Sequence, residues 1–110
     1  LVGLAKSGKR DAIFHSAPVL VLFHGEATGV TPKDDADLQA MCMMLMAESM
    51  GLGTCLIGLL TGAVAEDESI KDFIGLPEDH VLFTSMVLGY PVLSFVKAPG
   101  RKPAQITWVE

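Results

Sequence analysis

Residues 35–60 read DADLQAMCMMLMAESMGLGTCLIGLL, and this stretch decides the architecture of the chain. Apolar side chains point in every direction around its middle, which predicts a helix from Ala36 to about Met50 that is enclosed by protein. The helix is too short and too acidic at its ends for a membrane span, which needs about 20 apolar residues. Gly51 is placed to end it. Because 110 residues rarely surround a central helix, we expect a second subunit to supply part of its cover.

The composition leads to the same expectation. Half of the 110 residues are hydrophobic, a high share for one domain of this size. A small domain buries only a modest fraction of its surface, so the excess predicts an apolar interface, most simply that of a twofold homodimer. The net charge of −5 argues against nonspecific binding to nucleic acid. Basic residues cluster near both ends of the chain, where they either hold an anion or face solvent.

The two cysteines, Cys42 and Cys55, lie in apolar sequence and lack the spacing of metal ligands. We therefore expect buried, reduced thiols in a cytoplasmic protein rather than a disulfide or a metal site. The sequence contains no signal-peptide pattern. It starts at Leu1 with what reads as the end of a helix, so we expect an upstream part to be missing.

Outside the central helix, the pattern predicts strands and a second helix. Residues 17–23 (APVLVLF) form an uninterrupted apolar run, typical of a strand covered on both faces and here ended by His24 and Gly25. A polar loop follows and delivers Asp34 or Asp35 as the N-cap of the central helix. Residues 51–58 predict a helix stop and then a short extended segment flanked by glycines.

The second half of the chain continues the alternation of helix and strand. A helix is expected near residues 63–74, with Ile70, Phe73 and Ile74 facing inward and Gly75 near its end. Residues 81–88 form a second long strand. After an irregular basic tail, residues 105–109 alternate as a third strand that is able to pair with a neighbour's sheet. The overall pattern predicts one α+β domain over residues 1–110.

Catalytic side-chain constellations are not evident. His15, His24 and His80 are scattered, and there is no nucleophile elbow or phosphate-binding glycine loop, so we predict no catalytic side chain and no metal ligand. Of the histidines, only His15 is a candidate for ligand contact. Gly53 and Gly58 bracket a short segment in which backbone N–H groups are able to approach a flat ligand. A cofactor held there would itself supply the reaction.

Five segments, in this order and spacing, resemble the carboxyl-terminal half of the FMN-dependent nitroreductase family: residues 17–23, 47–58, 75–80, 88–91 and 101–103. The resemblance implies a nitroreductase-like α+β fold, with an antiparallel or mixed sheet flanked by helices and the central helix buried at a homodimer interface. It also implies FMN at that interface and a carboxyl-terminal extension that embraces the partner. The family's amino-terminal half, with its arginine-rich phosphate-binding segment, has no counterpart in residues 1–110.

The resemblance also implies a reaction and a set of cofactor-binding residues. Hydride passes from NADH or NADPH to flavin N5, and then to a nitro group, quinone or similar acceptor. The segment beside the isoalloxazine ring corresponds to Cys55, Leu56, Ile57, Gly58 and Leu59, whose backbone N–H groups reach the N5 and O4 region. Arg101, and with it Lys102, corresponds to the phosphate-binding position, for which an arginine fork is suited.

Two departures from the family pattern leave alternatives open. Met41 and Cys42 stand where most members have Gln-Asn, and Leu59 stands where a second glycine is common. A non-catalytic dimerisation or ligand-binding module that keeps the family core is therefore the main alternative. A relative that performs another flavin reaction, such as reductive dehalogenation or flavin fragmentation, is a third.

Overall fold

The computed structural model describes residues 11–109 as three strands and three helices, so the helix end expected at residues 1–10 lies outside the described residues. These are β1 (Val19–Glu26), α1 (Pro32–Ser49), β2 (Gly53–Leu56), α2 (Gly58–Glu66), α3 (Glu68–Phe73) and β3 (His80–Gly89). The strands form one sheet in the order β1-β3-β2, in which both pairings are antiparallel. The predicted α+β class, with a sheet flanked by helices, is confirmed, and the described sheet is antiparallel rather than mixed.

β3 is the centre of the fold because it pairs with both other strands and contributes to both hydrophobic clusters. Its neighbouring residues Met86 and Val87 are both buried and belong to different clusters, so one cluster lies on each face of the sheet. The Met86 cluster packs under α1, whereas the Val87 cluster packs under α2 and α3. The expected strand at residues 81–88 is therefore confirmed, with one more residue at each end.

β1 continues beyond the end that the sequence predicted. A register shift between Phe23 and His24 lets the strand remain paired with β3 as far as Glu26. A bulge of this kind inserts a residue without ending the ladder, so His24 and Gly25 are inside the strand rather than in the following loop. The prediction that His24 and Gly25 end this strand was wrong.

α1 begins earlier than predicted. Its first residue is Pro32 and its N-cap is Thr31, so neither Asp34 nor Asp35 is the cap. Proline suits the first helical position because it lacks an N–H group, which would find no partner there. The two aspartates lie in the first turn, where negative charge favours the helix dipole. The predicted stop is confirmed, since Gly51 follows the helix with a φ of +74°.

The single helix predicted near residues 63–74 is two helices. α2 already begins at Gly58, and the helical conformation is interrupted at Asp67. Asp67 is the N-cap of α3, and its carboxylate accepts a 2.9 Å hydrogen bond from the Ser69 N–H. Hydrogen bonding by the Ser69 side chain, and then by its N–H, holds the pKa of the Asp67 carboxyl below its usual value. Ile70 packs on the core, but Phe73 is 90% exposed, so its inward placement was wrong.

One side of α1 is left uncovered by the chain itself. Ala36, Ala40 and Ala47 face the sheet and are buried. Leu38 and Leu45 lie on the opposite side and are each 66% exposed. One chain therefore does not enclose the helix, and the expected cover by a second subunit stays a prediction. Among residues 11–109, no helix has the length and apolar composition to span a membrane.

The chain after β3 runs without helix or strand through residues 90–109, much of it apolar and exposed. The strand predicted at residues 105–109 is not formed with the chain's own sheet. Cys42 and Cys55 are free, as expected, but both are exposed rather than buried. Each lies on a surface that a single chain leaves open, namely the outer side of α1 and the edge strand β2.

Candidate functional site

The junction between β2 and α2 is fixed to the sheet at Ile57. The Ile57 N–H donates to the Ser85 carbonyl oxygen at 2.8 Å, and the Ser85 Oγ donates to the Ile57 carbonyl oxygen at 2.8 Å. Both residues are buried, and the Ile57 side chain belongs to the core cluster under α2. The backbone of the predicted ligand-contacting segment is therefore held at its midpoint.

The residues on either side of Ile57 are exposed. Cys55 and Leu56 precede it, and Gly58 and Leu59 follow it, all at the surface. A Cβ built on Gly58 would meet no atom within 4 Å, so the backbone here is open to an incoming group. The predicted ring-contacting segment is thus a short surface strip, exposed except for the buried Ile57 at its centre.

Backbone donors of this strip face outward. In an antiparallel pair, hydrogen-bonded and non-hydrogen-bonded residues alternate, so a strand bonded to its neighbour at Ile57 turns the N–H of Leu56 away from β3. β2 pairs only with β3 among the described residues, so that N–H points to the open edge. Gly58 begins α2, whose first-turn N–H groups have no intrahelical partner and receive no side-chain cap.

Beside this strip lies a cavity of about 570 Å³. Its wall combines the turn before β1, the start of β2, and the end of β3 with the residues after it, and it includes His15, Cys55, Gly89, Tyr90 and Phe95. A Cβ on Gly89 would lie 2.9 Å from the Pro18 Cδ, so only glycine fits where these two segments meet. The position of His15 in this wall keeps it a candidate for ligand contact.

The turn that carries His15 is organised by Asp11. The Asp11 carboxylate accepts hydrogen bonds from the N–H groups of Phe14 at 2.9 Å and of Ile13 and Ser16 at 3.0 Å. These bonds, first that from Phe14, lower the pKa of the Asp11 carboxyl. His15 and Ser16 adopt φ angles of 53° and 60°, a region that non-glycine residues seldom occupy. The only turn signal in the sequence here is an aspartate ahead of a serine, and the sequence analysis did not predict this turn.

Arg101 and Lys102 are exposed and lie in the extended tail. Neither belongs to the cavity wall that contains Cys55, although the tail residues Val92, Leu93 and Phe95 do. Within a single chain, the structure therefore unites residues 55–59 but does not bring the two predicted phosphate-binding residues to the same cavity.

The nitroreductase family model matches residues 3–90. This match covers most of the chain, including β1, the central helix, the exposed strip and all of β3. The chain belongs to the nitroreductase family. The family resemblance predicted from the five segments is thereby confirmed.

Individual relatives agree with this nitroreductase assignment. A nitroreductase with bound FMN from Bacteroides fragilis superimposes with a TM-score of 0.76 at 27% identity, over 98% of this chain and 60% of that one. A second nitroreductase with bound FMN, from Desulfitobacterium hafniense, superimposes with a TM-score of 0.69 at 24% identity, over 99% of this chain and 58% of that one. This similarity shows the shared fold. An NADPH-flavin oxidoreductase from Vibrio harveyi is 39% identical over 57 residues, which are 52% of this chain and 22% of that protein. The chain thus spans less than two thirds of the length of each of these relatives.

Proposed function

We propose that this nitroreductase-family chain binds FMN and belongs to an NAD(P)H-dependent oxidoreductase. In this proposal, hydride passes from NADH or NADPH through flavin N5 to a nitro, quinone or related acceptor. Two relatives support it: the Bacteroides nitroreductase contains bound FMN, and the Vibrio protein is an NADPH-flavin oxidoreductase. Part of the proposal is that residues 1–110 form one unit corresponding to the carboxyl-terminal part of the family's domain.

The observation that carries the proposal is the exposed strip at the β2–α2 junction. A flavin ring is planar, and it requires a surface that side chains do not obstruct and that offers backbone donors to its polar edge. The open space at Gly58 and the outward N–H groups of Leu56 and Gly58 meet both requirements. The exposed side chain of Leu56 adds apolar area for the ring face.

Each residue of the strip has its own part in holding the cofactor. Leu56 and Gly58 would offer backbone donors to the N5 and O4 region, where hydrogen bonds would stabilise the charge that develops on reduction. The Ile57 N–H is already bonded to Ser85, so Ile57 holds the strip in place rather than donating to the ring. Cys55 and Leu59 would border the ring. When bound, FMN supplies the two-electron chemistry, so no side chain of the strip has to act as a nucleophile.

The uncovered side of α1 supports a homodimer. Leu38, Met41 and Leu45 form an exposed apolar stripe directly opposite the buried alanines. The carboxyl-terminal tail exposes further large apolar side chains, including Phe95 and Trp108. In the proposed dimer, the stripe packs against the second copy and the tail crosses onto it. Arg101 and Lys102 would then bind the phosphate of an FMN at the interface, which explains their distance from the cavity in one chain.

Flavin binding and reduction test this proposal on the purified full-length protein. FMN fluorescence should be quenched on titration, with saturation near one FMN per subunit. The bound flavin should bleach when NADH or NADPH is added without oxygen and recover its absorbance when a quinone or nitroaromatic compound follows. A protein that takes up no FMN, or whose bound FMN is not reduced by either nucleotide, would refute the oxidoreductase proposal.

Leu59 favours a second candidate function, a dimerisation or ligand-binding module without redox activity. Its side chain is 57% exposed at the position where a second glycine is common in the family, so it narrows the approach to the strip. A dimer that binds flavin but is not reduced would support this alternative. The free thiols of Cys42 and Cys55 suit a reducing compartment, and we propose a cytoplasmic location for either function.

A further inference from the structure

Three side chains of metal-binding types, with a fourth, His24, beside them, meet at the start of β3, whereas the strip of residues 55–59 adjoins the middle of that strand. Glu26 at the end of β1 is paired with His80 at the start of β3. Potential ligand atoms of Glu26, Asp79 and His80 all lie within 4.8 Å of one another. The His24 Nδ1 lies 2.8 Å from the His80 Nδ1, and the two rings are tilted by 46°.

We propose that Glu26, Asp79 and His80 bind one divalent transition-metal ion of the Zn²⁺ class, with His24 orienting His80. This site is separate from the proposed flavin site and does not depend on it. Imidazole with carboxylates suits Zn²⁺, Co²⁺ or Ni²⁺, whereas Ca²⁺ and Mg²⁺ prefer oxygen ligands alone.

The geometry requires only small side-chain movements. Ligands about 2.1 Å from a tetrahedral ion lie roughly 3.4 Å apart, so atoms already within 4.8 Å of one another have little distance to close. Glu26 and Asp79 are exposed, and the Glu26 carboxylate accepts a 3.2 Å hydrogen bond from the Thr28 hydroxyl through Oε2, which leaves Oε1 for a metal ion. Their backbone is fixed, because the ladder pairs Glu26 with His80 and the His80 N–H donates to the Pro77 carbonyl oxygen at 3.1 Å.

His24 explains how His80 would be oriented. At 2.8 Å between two Nδ1 atoms, one ring must donate a proton and the other must accept it. A metal-binding histidine commonly binds through one ring nitrogen and donates from the other, which fixes its tautomer and its plane. Because the His80 Nδ1 is engaged with His24, the proposal assigns the metal to the His80 Nε2. The contact between His24 and His80 thus connects β1 to β3, although the two residues are more than fifty positions apart in the sequence.

Charge also favours a cation here. The cluster brings together two carboxylates, and the ion pair found among residues 11–109 is elsewhere, between Lys33 and Asp37. A divalent ion would neutralise both carboxylates, because neutral imidazole adds no charge.

Isothermal titration of the protein with ZnCl₂ and with CoCl₂ tests the site. The background should carry Cys42→Ser and Cys55→Ser, since both exposed thiols bind soft metals. We expect one ion per subunit and a metal-dependent rise in Tm, because a ligand that binds only the folded state stabilises it. His80→Gln and Glu26→Gln should each abolish this binding, and His24→Ala should weaken it about 10- to 100-fold.

Matched controls are Asp72→Asn and His15→Gln, which remove an exposed carboxylate and an exposed imidazole outside the cluster. Both should bind metal as the background protein does. Far-ultraviolet circular dichroism checks the fold of each variant, and Asp79→Asn provides a second ligand variant if one is unstable. Metal binding that survives in folded Glu26→Gln and His80→Gln proteins, or the lack of binding by the background protein, would overturn the proposal.

Discussion

Ile57 and Ser85 are joined by two hydrogen bonds of 2.8 Å that run in opposite directions, one from each residue. The first is an ordinary ladder bond, whereas the second comes from a side chain that is 1% exposed. Together they connect the central strand to the point where β2 becomes α2. The same contact thus stabilises the fold and positions the strip proposed to hold the flavin.

Ser85→Ala is predicted to lower both stability and flavin affinity. Ser85→Ala removes the buried 2.8 Å hydrogen bond to the Ile57 carbonyl oxygen, and a bond of this kind contributes about 0.5–1.5 kcal/mol. Urea unfolding measures the stability, and FMN titration measures the affinity. Ser49→Ala is the control, because its hydroxyl bonds an exposed carbonyl oxygen and its loss should change stability by less than about 0.5 kcal/mol. Equal effects of the two substitutions would contradict the proposed anchoring.

Gly58→Ala should separate cofactor binding from folding. The added methyl group meets no protein atom within 4 Å, so stability should stay the same or rise by up to about 1 kcal/mol. The methyl group does obstruct a ring lying on the strip, and FMN affinity should fall about tenfold or more. Gly62→Ala in the same helix has equally open surroundings and should leave FMN affinity unchanged. Full FMN affinity in a folded Gly58→Ala protein would exclude close approach of the ring at this residue.

Leu45→Glu should dissociate the proposed dimer without unfolding the subunit. Leu45 is 66% exposed in a single chain, so a charge there has little effect on the subunit core but disfavours an apolar interface. Met44 is less suitable because it packs against the core under α1. Multi-angle light scattering after size-exclusion chromatography reports the mass. Phe73→Glu, at a residue that is 90% exposed on α3, should remain dimeric. A dimeric Leu45→Glu protein would place the interface elsewhere.

Arg101→Gln should weaken the binding of FMN but not that of riboflavin. Riboflavin lacks the phosphate that Arg101 is proposed to bind, and a hydrogen bond to a charged group contributes about 1.5–3 kcal/mol. The dissociation constant for FMN should therefore rise about 10- to 100-fold. Lys97→Gln removes another exposed basic residue of the tail and should affect neither ligand. An equal loss of FMN and riboflavin affinity in Arg101→Gln would show that the residue does not act through the phosphate.

Asp11 should make the turn before β1 sensitive to acid. Its pKa is lowered from 3.8 by backbone hydrogen bonds, so its stabilising contribution is complete above that value and is lost as the pH falls through the folded-state pKa. Asp11→Ala should therefore be less stable than the unmodified protein near neutral pH, and this difference should shrink below about pH 4. Because Asp11 is only partly buried, salt should reduce the effect. Urea midpoints measured at several pH values give the comparison, and a difference that grows on acidification would contradict the turn geometry.

The sequence was sufficient for elements that depend on local chemistry. The apolar run before Gly89 predicted the central strand, and Gly51 and Gly75 predicted helix ends, both with the positive φ that glycine adopts readily. The family was also recognisable, because five ordered segments survive over most of the chain. Local rules failed where two signals competed. Asp67 reads equally well as a first-turn acid or as a cap between two helices, and the structure uses it as a cap.

By itself, the sequence determined the α+β class, because propensity, glycine positions and hydrophobic runs act over short distances. It also determined the family, through the resemblance of five ordered segments, whereas flavin contact by residues 55–59, which that resemblance implies, stays a prediction. Only the tertiary structure decided that Ser85 anchors Ile57 and that His24 and Glu26 meet Asp79 and His80. These contacts depend on the register between distant strands, and the β1–β3 register includes a bulge that no hydrophobic period reveals. A shift by one residue would send each of these side chains to the other face of the sheet.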